Sequence, residues 1–469
     1  MKLIKAISIF LVCLITLYSS NLFPGNKLIF IIFSTIINFF LYYSIFEKKN
    51  FFHTYLFTLL WLGFWFKLII SLNFYNAKLF DGTGDFNYYA ESFNLLLILS
   101  SIAFTGFFLP IYFFKKKYKR LESLSPLRTN VSFYSKYRIH FWFIFIIIIL
   151  LYSGINYHFG IYQRGRPPQT LTPFYISGTL RWLLLFGGAS ISTLILRYEY
   201  VSNKIVGLTP FFLLMIETFL SSVSILSRGM IFPFLVILYG CLITESNNKH
   251  FKTLNFTKVT ILTIGICLFI SSLKIINFNR EILFQKDRGQ EISKPKNTNT
   301  RFIGIAITRW VGIEGLAAVI GKREKLSSDL LIEALKEKAS TKKSFYDREI
   351  IQSLYTQSHL KSNNFITVQG MISFLYYSGS KIFLFTACFL IGLLCRTIEI
   401  IALKASKGNL IFTSLISYIL AFRVIHFGYA PSQSYLLMSA IIINIIIFYI
   451  IESGYLSRLL YFFKSGQKA

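Results

Sequence analysis

The chain has 469 residues, of which 54% are hydrophobic and 18% aromatic, with a formal net charge of +29. This balance excludes an ordinary soluble domain, because so much apolar surface cannot be hidden in one core. The basic residues lie mostly between apolar runs, which indicates membrane topology as the cause of the charge rather than binding to nucleic acid.

Apolar runs of about 20 residues recur along the chain, and each is long enough to cross a bilayer as a helix. The predicted fold is therefore all-α, a polytopic integral membrane protein with about 12 transmembrane helices and a large external (periplasmic) loop subdomain before the last three spans. In chain order the predicted spans are 3–20, 28–46, 53–73, 93–114, 140–156, 179–196, 206–224, 230–244, 259–276, 375–394, 409–426 and 434–452.

The distribution of basic residues predicts the orientation. With both termini in the cytoplasm, the cytoplasmic segments hold twenty-three lysines and arginines and the short external loops hold five. This asymmetry is typical of helical membrane proteins, in which basic loops stay inside. Residues 1–20 resemble a signal peptide, but they lack a small-residue cleavage site and are predicted to form the first span.

Three regions follow from the spans. Residues 1–276 are predicted to form a membrane bundle of spans 1–9, and residues 277–374 an external loop subdomain with short helices. Residues 375–469 would complete the bundle with spans 10–12 and a basic cytoplasmic tail. Residues 327–339 have the apolar spacing of an amphipathic helix. Residues 302–321 either span the membrane or lie at its outer interface, and the charge pattern favours the interface.

Arginines on the predicted external side form the first group of candidate functional residues. A guanidinium group is planar and stays charged, so it suits phosphate and diphosphate oxygens. At membrane depth an arginine costs about 2.5–3.5 kcal/mol, so several at one level suggest a shared anionic ligand, although snorkelling to lipid headgroups is the alternative. The candidates are Arg164, Arg166, Arg228, Arg301, Arg309 and Arg423.

Glu314 and His359 form the second group, as candidate general bases. A carboxyl group in apolar surroundings has a raised pKa, and histidine titrates near neutral pH. The alternatives are a Glu314 carboxylate paired with a nearby arginine and a His359 on a solvated face. No nucleotide-binding, zinc or serine-hydrolase motif is found, and the five cysteines lack metal spacing, so no metal and no cofactor is predicted.

Three short segments carry a resemblance to a known family. They are Ser227-Arg228-Gly229, Thr308-Arg309-Trp310-Val311-Gly312-Ile313-Glu314-Gly315, and the segment from Gln369-Gly370 to Phe374-Leu375-Tyr376-Tyr377-Ser378-Gly379-Ser380. In this order, and with the long loop before the last three spans, the chain resembles the Wzy-type O-antigen and polysaccharide repeat-unit polymerases of bacterial envelopes.

The resemblance implies a membrane glycosyltransferase of the bacterial inner membrane. Such an enzyme moves a growing glycan from undecaprenyl diphosphate to the non-reducing end of an incoming undecaprenyl-diphosphate-linked repeat unit, in O-antigen and lipopolysaccharide biosynthesis. It implies catalytic roles for Glu314, His359 and Arg309, and diphosphate binding by the six arginines. It also implies sugar binding by Tyr162, Trp310, Tyr376 and Tyr377, with membrane lipids and a chain-length regulator protein as partners.

Two alternatives remain open. An O-antigen ligase has a similar helical layout and passes the glycan to lipid A. A flippase or transporter of lipid-linked sugars would carry charged residues through the depth of its bundle. In the sequence the charged residues inside apolar runs are few, and Lys67, Arg181 and Lys274 all lie near predicted span ends. The polymerase is therefore the preferred prediction.

Overall fold

A computed structural model of the chain describes residues 2–46, 50–80, 82–164, 168–170, 172–173, 176–203, 208–227, 229, 231–246, 256–287, 310–338, 344–351, 369–428 and 431–454. Throughout these ranges the regular secondary structure is helical and no strand occurs.

The helices follow the apolar runs closely. In chain order they are α1 (Lys2–Ser20), α2 (Lys27–Phe46), α3 (Phe51–Phe74), α4 (Ala90–Tyr112), α5 (Lys115–Glu122), α6 (Arg128–Lys136), α7 (Arg138–Phe159), α8 (Ile176–Asn203), α9 (Leu208–Ile225), α10 (Ile231–Ser246), α11 (Phe256–Asp287), α12 (Ile313–Gly321), α13 (Ser328–Leu335), α14 (Met371–Leu375), α15 (Lys381–Ala405), α16 (Leu410–Ile425) and α17 (Ser434–Glu452). Short 3₁₀ turns occur at Arg323–Lys325, Tyr376–Ser378 and Pro431–Gln433, and a π turn at Asp347–Ile351.

Seven of the described helices are long and apolar enough to cross a membrane, namely α2, α3, α4, α7, α8, α15 and α17. Four shorter apolar helices, α1, α9, α10 and α16, lie on further predicted spans. Only 17% of the apolar window of α17 is buried, although its mean hydropathy is 2.4. A helix that is apolar all round and so little covered by protein requires a lipid environment, so the protein is membrane-embedded and polytopic.

Two of these helices contain a π turn in mid-course. The turn in α3 covers Trp61–Phe66, and the turn in α8 covers Leu183–Gly187. A π turn inserts one extra residue into the helix and re-aims the side chains around it, and such turns are frequent at functional sites. Buried polar groups are therefore expected near both π turns.

The chain divides into two compact units, which are described separately. Unit 1 comprises residues 1–115, 297–398 and 417–435, and unit 2 comprises residues 116–296, 399–416 and 436–469. The described residues 310–338, 344–351 and 369–398 thus belong to one unit with the first four helices, whereas the predicted regions are divided at 276/277 and 374/375.

Unit 1 is held together by close helix contacts. The rings of Phe40 on α2 and Phe108 on α4 are stacked with centroids 3.9 Å apart. A Cβ atom on Gly106 of α4 would lie 2.7 Å from the carbonyl oxygen of Phe385 on α15. Small residues at such crossings let helices in membranes approach closely enough for strong dispersion contacts.

Unit 2 is organised around α9, which packs against α7, α8, α10 and α11. At one end of the unit, the buried Arg197 guanidinium donates to the carbonyl oxygens of Ser406 and Lys407. The same side chain lies 3.8 Å from the carboxylate of Glu452. Ser406 and Lys407 directly follow α15, and their carbonyl groups have no donor within that helix. The Arg197 guanidinium group supplies donors for both.

Two predicted segments differ from the observed structure. The tenth span was predicted at 375–394, but Gly379 adopts a left-handed conformation with φ of 69° and separates α14 and its 3₁₀ turn from α15. The span itself is α15, Lys381–Ala405. In the segment 302–321, residues 302–309 lie outside the described residues, and α12 is buried from Ile313 to Ile320. It packs inside unit 1 instead of presenting a face to the lipid interface.

Candidate functional site

Two of the three segments that carry the family resemblance meet in unit 1. Gly315 ends the segment that begins at Thr308, and Gln369 begins the segment that ends at Ser380. Gly315 lies directly against the backbone of Gln369. A Cβ atom on Gly315 would lie 2.2 Å from the carbonyl oxygen of Gln369. Since no side chain fits in that space, the contact requires glycine, and it defines a junction between the two segments.

The same junction rests on the π turn of α3. A Cβ atom on Gly312 would lie 2.3 Å from the carbonyl oxygen of Gly63, and one on Gly63 would lie 2.2 Å from the carbonyl oxygen of Val311. Two glycines therefore let the Val311–Gly312 backbone touch the helix backbone. This contact brings the start of α12 to the level of Lys67, the first residue after the π turn.

Glu314 and Lys67 form a buried ion pair at this junction. The Lys67 Nζ atom lies 2.7 Å from Glu314 Oε1, and the two side chains are 1% and 5% exposed. Glu314 is in the first turn of α12, where the helix dipole also favours a carboxylate. In this setting removal of Glu314 would leave the buried Lys67 ammonium group without its carboxylate, at a cost of about 3–5 kcal/mol.

Gln369 and Gly370 hold the segment from Gln369 to Ser380 in place through two hydrogen bonds. Gly370 adopts φ of 87°, and its backbone N–H donates to the carbonyl oxygen of Phe427 at 3.0 Å. The Tyr377 hydroxyl donates to Gln369 Oε1 at 2.6 Å. These bonds hold two parts of the chain against Gln369 and Gly370. One is the loop of Phe427 after α16, and the other is the 3₁₀ turn of Tyr377 after α14.

Tyr376 and Tyr377 are enclosed by protein, with 3% and 0% of their surfaces exposed. Burial raises the pKa of Tyr377 well above its usual value, and burial also raises the pKa of Tyr376. Both rings therefore act as neutral packing groups in this structure. The sugar-binding role of Tyr376 and Tyr377 stays a prediction.

The other predicted residues of unit 1 lie at the edge of this junction. Trp310 precedes α12 and is half-buried, and Arg423 is half-buried in the last turn of α16. A small hollow beside the junction is lined by Val311, Gly312, Gln369 and Gly370 together with apolar residues of α3, α4 and α16. The described residues that line it are apolar or uncharged.

In unit 2 the loop that contains Tyr162 and Arg164 is fixed by Asn156 of α7. The Asn156 side chain accepts from the backbone N–H of Tyr162 at 2.8 Å and donates to the Tyr162 carbonyl oxygen at 3.0 Å. It also donates to Ser224 Oγ at 2.9 Å. The backbone N–H of Arg164 donates to the carbonyl oxygen of Ile225 at 2.9 Å. One asparagine thus ties this loop to the end of α9.

Arginines gather around this loop. The Arg181 guanidinium lies over the Tyr162 ring, 4.4 Å from its centroid. Arg164 Nη1 would lie 3.9 Å from a Cβ atom on Gly229, so the Arg164 side chain reaches the Ser227–Gly229 turn. Arg164 and Arg181 thus bring two positive charges to this loop, one beside Gly229 and one over Tyr162. Positive charge at one place on a membrane protein is suited to a phosphate-bearing ligand.

Five of the predicted site residues lie outside the described residues. They are Arg166, Arg228, Arg301, Arg309 and His359. Their assigned roles therefore stay predictions.

Several polar residues at these places were not among the predicted site residues. Lys67, Asn156 and Arg181 are single polar residues in apolar helices, and no sequence spacing distinguishes them from span-end residues. The π turns in α3 and α8 are likewise invisible in the apolar pattern. The one available signal was the presence of an ionisable or amide side chain within a predicted span, which marks function often enough to be followed up.

The chain was compared with models of known protein families, with curated proteins and with solved structures, and no match was found.

Proposed function

We propose that the protein is a polymerase of lipid-linked oligosaccharide repeat units. The observation that carries the proposal is the junction in unit 1, where the segments around Glu314 and Gln369 meet through a backbone contact at Gly315. These are two of the three segments in which the chain resembles the Wzy-type polymerases. Segments that share a function are expected to meet in space, and chance likenesses far apart in a sequence have no reason to do so.

The proposed reaction is a glycosyl transfer. A hydroxyl oxygen of the incoming repeat unit forms a bond to the anomeric carbon of the growing glycan, and the bond from that carbon to the diphosphate oxygen breaks. Undecaprenyl diphosphate leaves with the bonding electrons, and the hydroxyl proton passes to a base. Arginines stabilise the charge that develops on the diphosphate.

The arrangement in unit 2 supports the diphosphate-binding role. Arg164 lies in the loop that Asn156 ties to α9 and reaches Gly229, and Arg181 of α8 lies over the Tyr162 ring of the same loop. Rigid positioning matters because a catalytic cation that needs no reorganisation stabilises developing charge most effectively. We assign Arg166, Arg228, Arg301, Arg309 and Arg423 to the same role on the basis of the sequence.

Glu314 remains the first candidate for the base, and His359 the second. The ion pair with Lys67 fixes the position of the Glu314 carboxylate inside unit 1. To accept a proton, the carboxylate would exchange its contact with Lys67 for one with the acceptor hydroxyl. Lys67 would then be the residue that holds the base in place between turnovers.

The proposal includes the cellular location of the protein and its partners. We place the protein in the bacterial inner membrane with twelve crossings and both termini in the cytoplasm, so that residues 277–374 face the periplasm. Its substrate is the undecaprenyl-diphosphate-linked oligosaccharide, and a chain-length regulator protein is its expected partner.

One structural observation favours a second candidate, a transporter of lipid-linked sugars. The helices bury more ionisable groups than the apolar runs suggest. Those with less than a tenth of their surface exposed include His53, Lys67, Arg197, Glu217, Arg396 and Glu399. Buried ionisable residues in membrane helices commonly mark substrate or ion pathways.

Deletion of the gene, followed by glycan analysis, separates these functions. Loss of the polymerase leaves single repeat units on the final acceptor. Loss of a ligase leaves glycans of normal length on undecaprenyl diphosphate and none on the acceptor. Loss of a transporter leaves lipid-linked repeat units on the cytoplasmic side. A deletion strain with an unchanged glycan profile would contradict all three.

Complementation of the deletion strain tests the site. Glu314→Gln removes the proposed base and also leaves the buried Lys67 ammonium group without its carboxylate. The amount of folded protein in the membrane is therefore measured beside the glycans, and we expect single repeats to persist although folded protein is present. Glu333→Gln is the matched control, because Glu333 of α13 has a side chain that is 66% exposed. Restoration of full-length glycans by Glu314→Gln would remove Glu314 from the mechanism.

A further inference from the structure

Glu217 is a buried acid in the interior of unit 2 that the glycan transfer does not use. It lies midway along α9 and is 2% exposed. An ionisable side chain in the middle of an apolar membrane helix is costly, and it is retained where it binds something.

The groups around Glu217 are hydroxyls. Ser221 Oγ donates to Glu217 Oε1 at 3.0 Å, and the Tyr152 hydroxyl approaches the same oxygen at 3.4 Å from α7. Thr218 Oγ1 lies 3.4 Å from Glu217 Oε2. These hydroxyls supply oxygen atoms on both sides of the carboxyl group, and all of them lie in unit 2.

No cation is paired with Glu217 among the described residues. Tyr152 is the ionisable side chain that reaches it, and α8 faces it with Gly188. On α10 and α11, which also pack against α9, ionisable residues such as Glu245 and Lys274 make no contact with it. A carboxylate without a cation is strongly disfavoured in an apolar interior, so an acid in these surroundings takes up a proton or a small cation.

The space is shaped for this arrangement. A Cβ atom on Gly188 would lie 2.4 Å from the Tyr152 hydroxyl and 2.7 Å from Glu217 Oε1. Glycine at the position after the π turn of α8 therefore leaves room for the acid and the phenol to stand side by side. Any larger residue would displace one of them.

We propose that Glu217 and the hydroxyl groups around it form a binding site for a small monovalent cation, a proton or a sodium ion, in the interior of unit 2. A carboxyl oxygen surrounded by hydroxyls suits either ion. A proton bonds covalently to the carboxylate, and a sodium ion is coordinated by the same oxygens. The site stands apart from the glycan transfer proposed above and does not depend on it.

A row of polar groups connects this site to one end of the unit. Glu217, Ser221 and Ser224 lie on one face of α9, at intervals of four and three residues. Ser224 Oγ donates to the carbonyl oxygen of Ser153 at 2.8 Å and accepts from Asn156 Nδ2 at 2.9 Å. Asn156 holds the loop of Tyr162. Polar groups of Ser221, Ser224 and Asn156 therefore lie between Glu217 and the loop of Tyr162.

Infrared spectroscopy of the full-length protein in lipid nanodiscs tests the proposal. In sodium-free buffer at neutral pH we expect the carbonyl stretching band of a protonated carboxylic acid, and we expect Glu217→Gln to lose it. Glu199→Gln is the matched control. Glu199 accepts hydrogen bonds from Arg138 at 2.6 Å and Tyr134 at 2.7 Å, so its replacement should leave the band unchanged.

Addition of sodium at constant pH distinguishes the two ions. If the band disappears and carboxylate bands grow, sodium replaces the proton. If the band persists, the site takes the proton alone. Both results support the cation site. The proposal is overturned if wild type and Glu217→Gln have the same spectrum in the acid region and sodium changes no carboxylate band.

Two further variants keep the test decisive if Glu217→Gln fails to fold. Glu217→Asp retains an acid, and we expect its band to remain with a shifted frequency. Gly188→Ala should shift the wild-type band, because its methyl group pushes on the acid and on Tyr152. Gly154→Ala, on α7 where a Cβ atom meets nothing within 4 Å, is the matched control and should shift nothing.

Discussion

At the scale of single residues, the most consequential feature is the buried pair of Lys67 and Glu314. The pair joins a membrane helix to a segment far along the chain. The pair itself contributes little net stability, because desolvation of two charges offsets their attraction. Its effect is on specificity, since a shifted register of α12 against α3 would separate the two charges.

Lys67→Met should destabilise the protein strongly. It removes the cation that lies 2.7 Å from the buried Glu314 carboxylate, and we expect a loss of about 3–5 kcal/mol in the free energy of unfolding. Thermal unfolding in detergent measures this effect. The double variant Lys67→Met with Glu314→Leu should recover most of the loss, because no charge is then left buried.

The matched control for Lys67→Met is Lys322→Met. Lys322 pairs with Asp85, whose side chain is 63% exposed, and water screens that pair. Its removal should cost about 0–1 kcal/mol. Equal losses in the two lysine variants would show that the Lys67 pair is not buried as described.

Tyr377 gives a pH-dependent prediction. Burial raises its pKa well above the usual value of about 10, so the folded protein keeps the phenol protonated where the unfolded chain ionises. The unfolded state then binds fewer protons than the folded state, and stability is present below pH of about 10 and is lost as the pH rises further.

The comparison with Tyr377→Phe measures this contribution. The variant loses the hydrogen bond to Gln369, at about 1 kcal/mol, and is less stable than wild type at neutral pH. Above pH of about 10 the difference in melting temperature should shrink, because phenylalanine cannot ionise in the unfolded state. A difference that stays constant or grows with pH would mean that Tyr377 is accessible to solvent.

At the scale of helices and loops, the spans were predictable and the connections were not. Eleven of the twelve predicted spans overlap the apolar helices described above, and seven of those helices are long and apolar enough to cross a membrane. The start of α15 was misplaced, since the apolar residues of α14 continue the run and only Gly379 breaks it. Side-chain hydrogen bonds between distant segments, such as those of Asn156, leave no periodic signal in the sequence.

The loop of Tyr162 and Arg164 provides a prediction at this scale. Asn156→Ala removes the side chain that holds both the N–H and the carbonyl group of Tyr162. We expect the loop to open more often, so hydrogen exchange in residues 157–164 should accelerate. Mass spectrometry of deuterated peptides measures this directly.

Asn38→Ala is the matched control for the loop. Asn38 also lies in an apolar helix, where its side chain accepts from Trp61 Nε1 at 2.9 Å. Its replacement should leave exchange in residues 157–164 unchanged. The same exchange rate in wild type and Asn156→Ala would mean that the loop is held by other contacts.

At the scale of the whole molecule, charge and hydropathy predicted a polytopic helical membrane protein, and the helices agree. The composition could not indicate the two compact units. Their boundaries depend on which helices pack together, and contacts between distant segments decide that. The sequence indicated the two segments of the unit 1 junction separately, but it did not predict the contact between them.

The orientation can be tested by labelling. In a variant without the five native cysteines, Lys325→Cys and Lys116→Cys replace exposed lysines on opposite predicted sides. A membrane-impermeant maleimide applied from the periplasmic side should label Lys325→Cys in intact spheroplasts. It should label Lys116→Cys only after permeabilisation. The reverse pattern would contradict the predicted orientation.

The most direct measurement uses purified protein in liposomes with undecaprenyl-diphosphate-linked repeat units as the sole substrate. Mass spectrometry would follow the glycans and the released lipid. We expect glycans of two or more repeats, with one undecaprenyl diphosphate released for each new bond, and we expect neither from Glu314→Gln. Repeat units that stay single in the presence of folded wild-type protein would contradict the proposed polymerase.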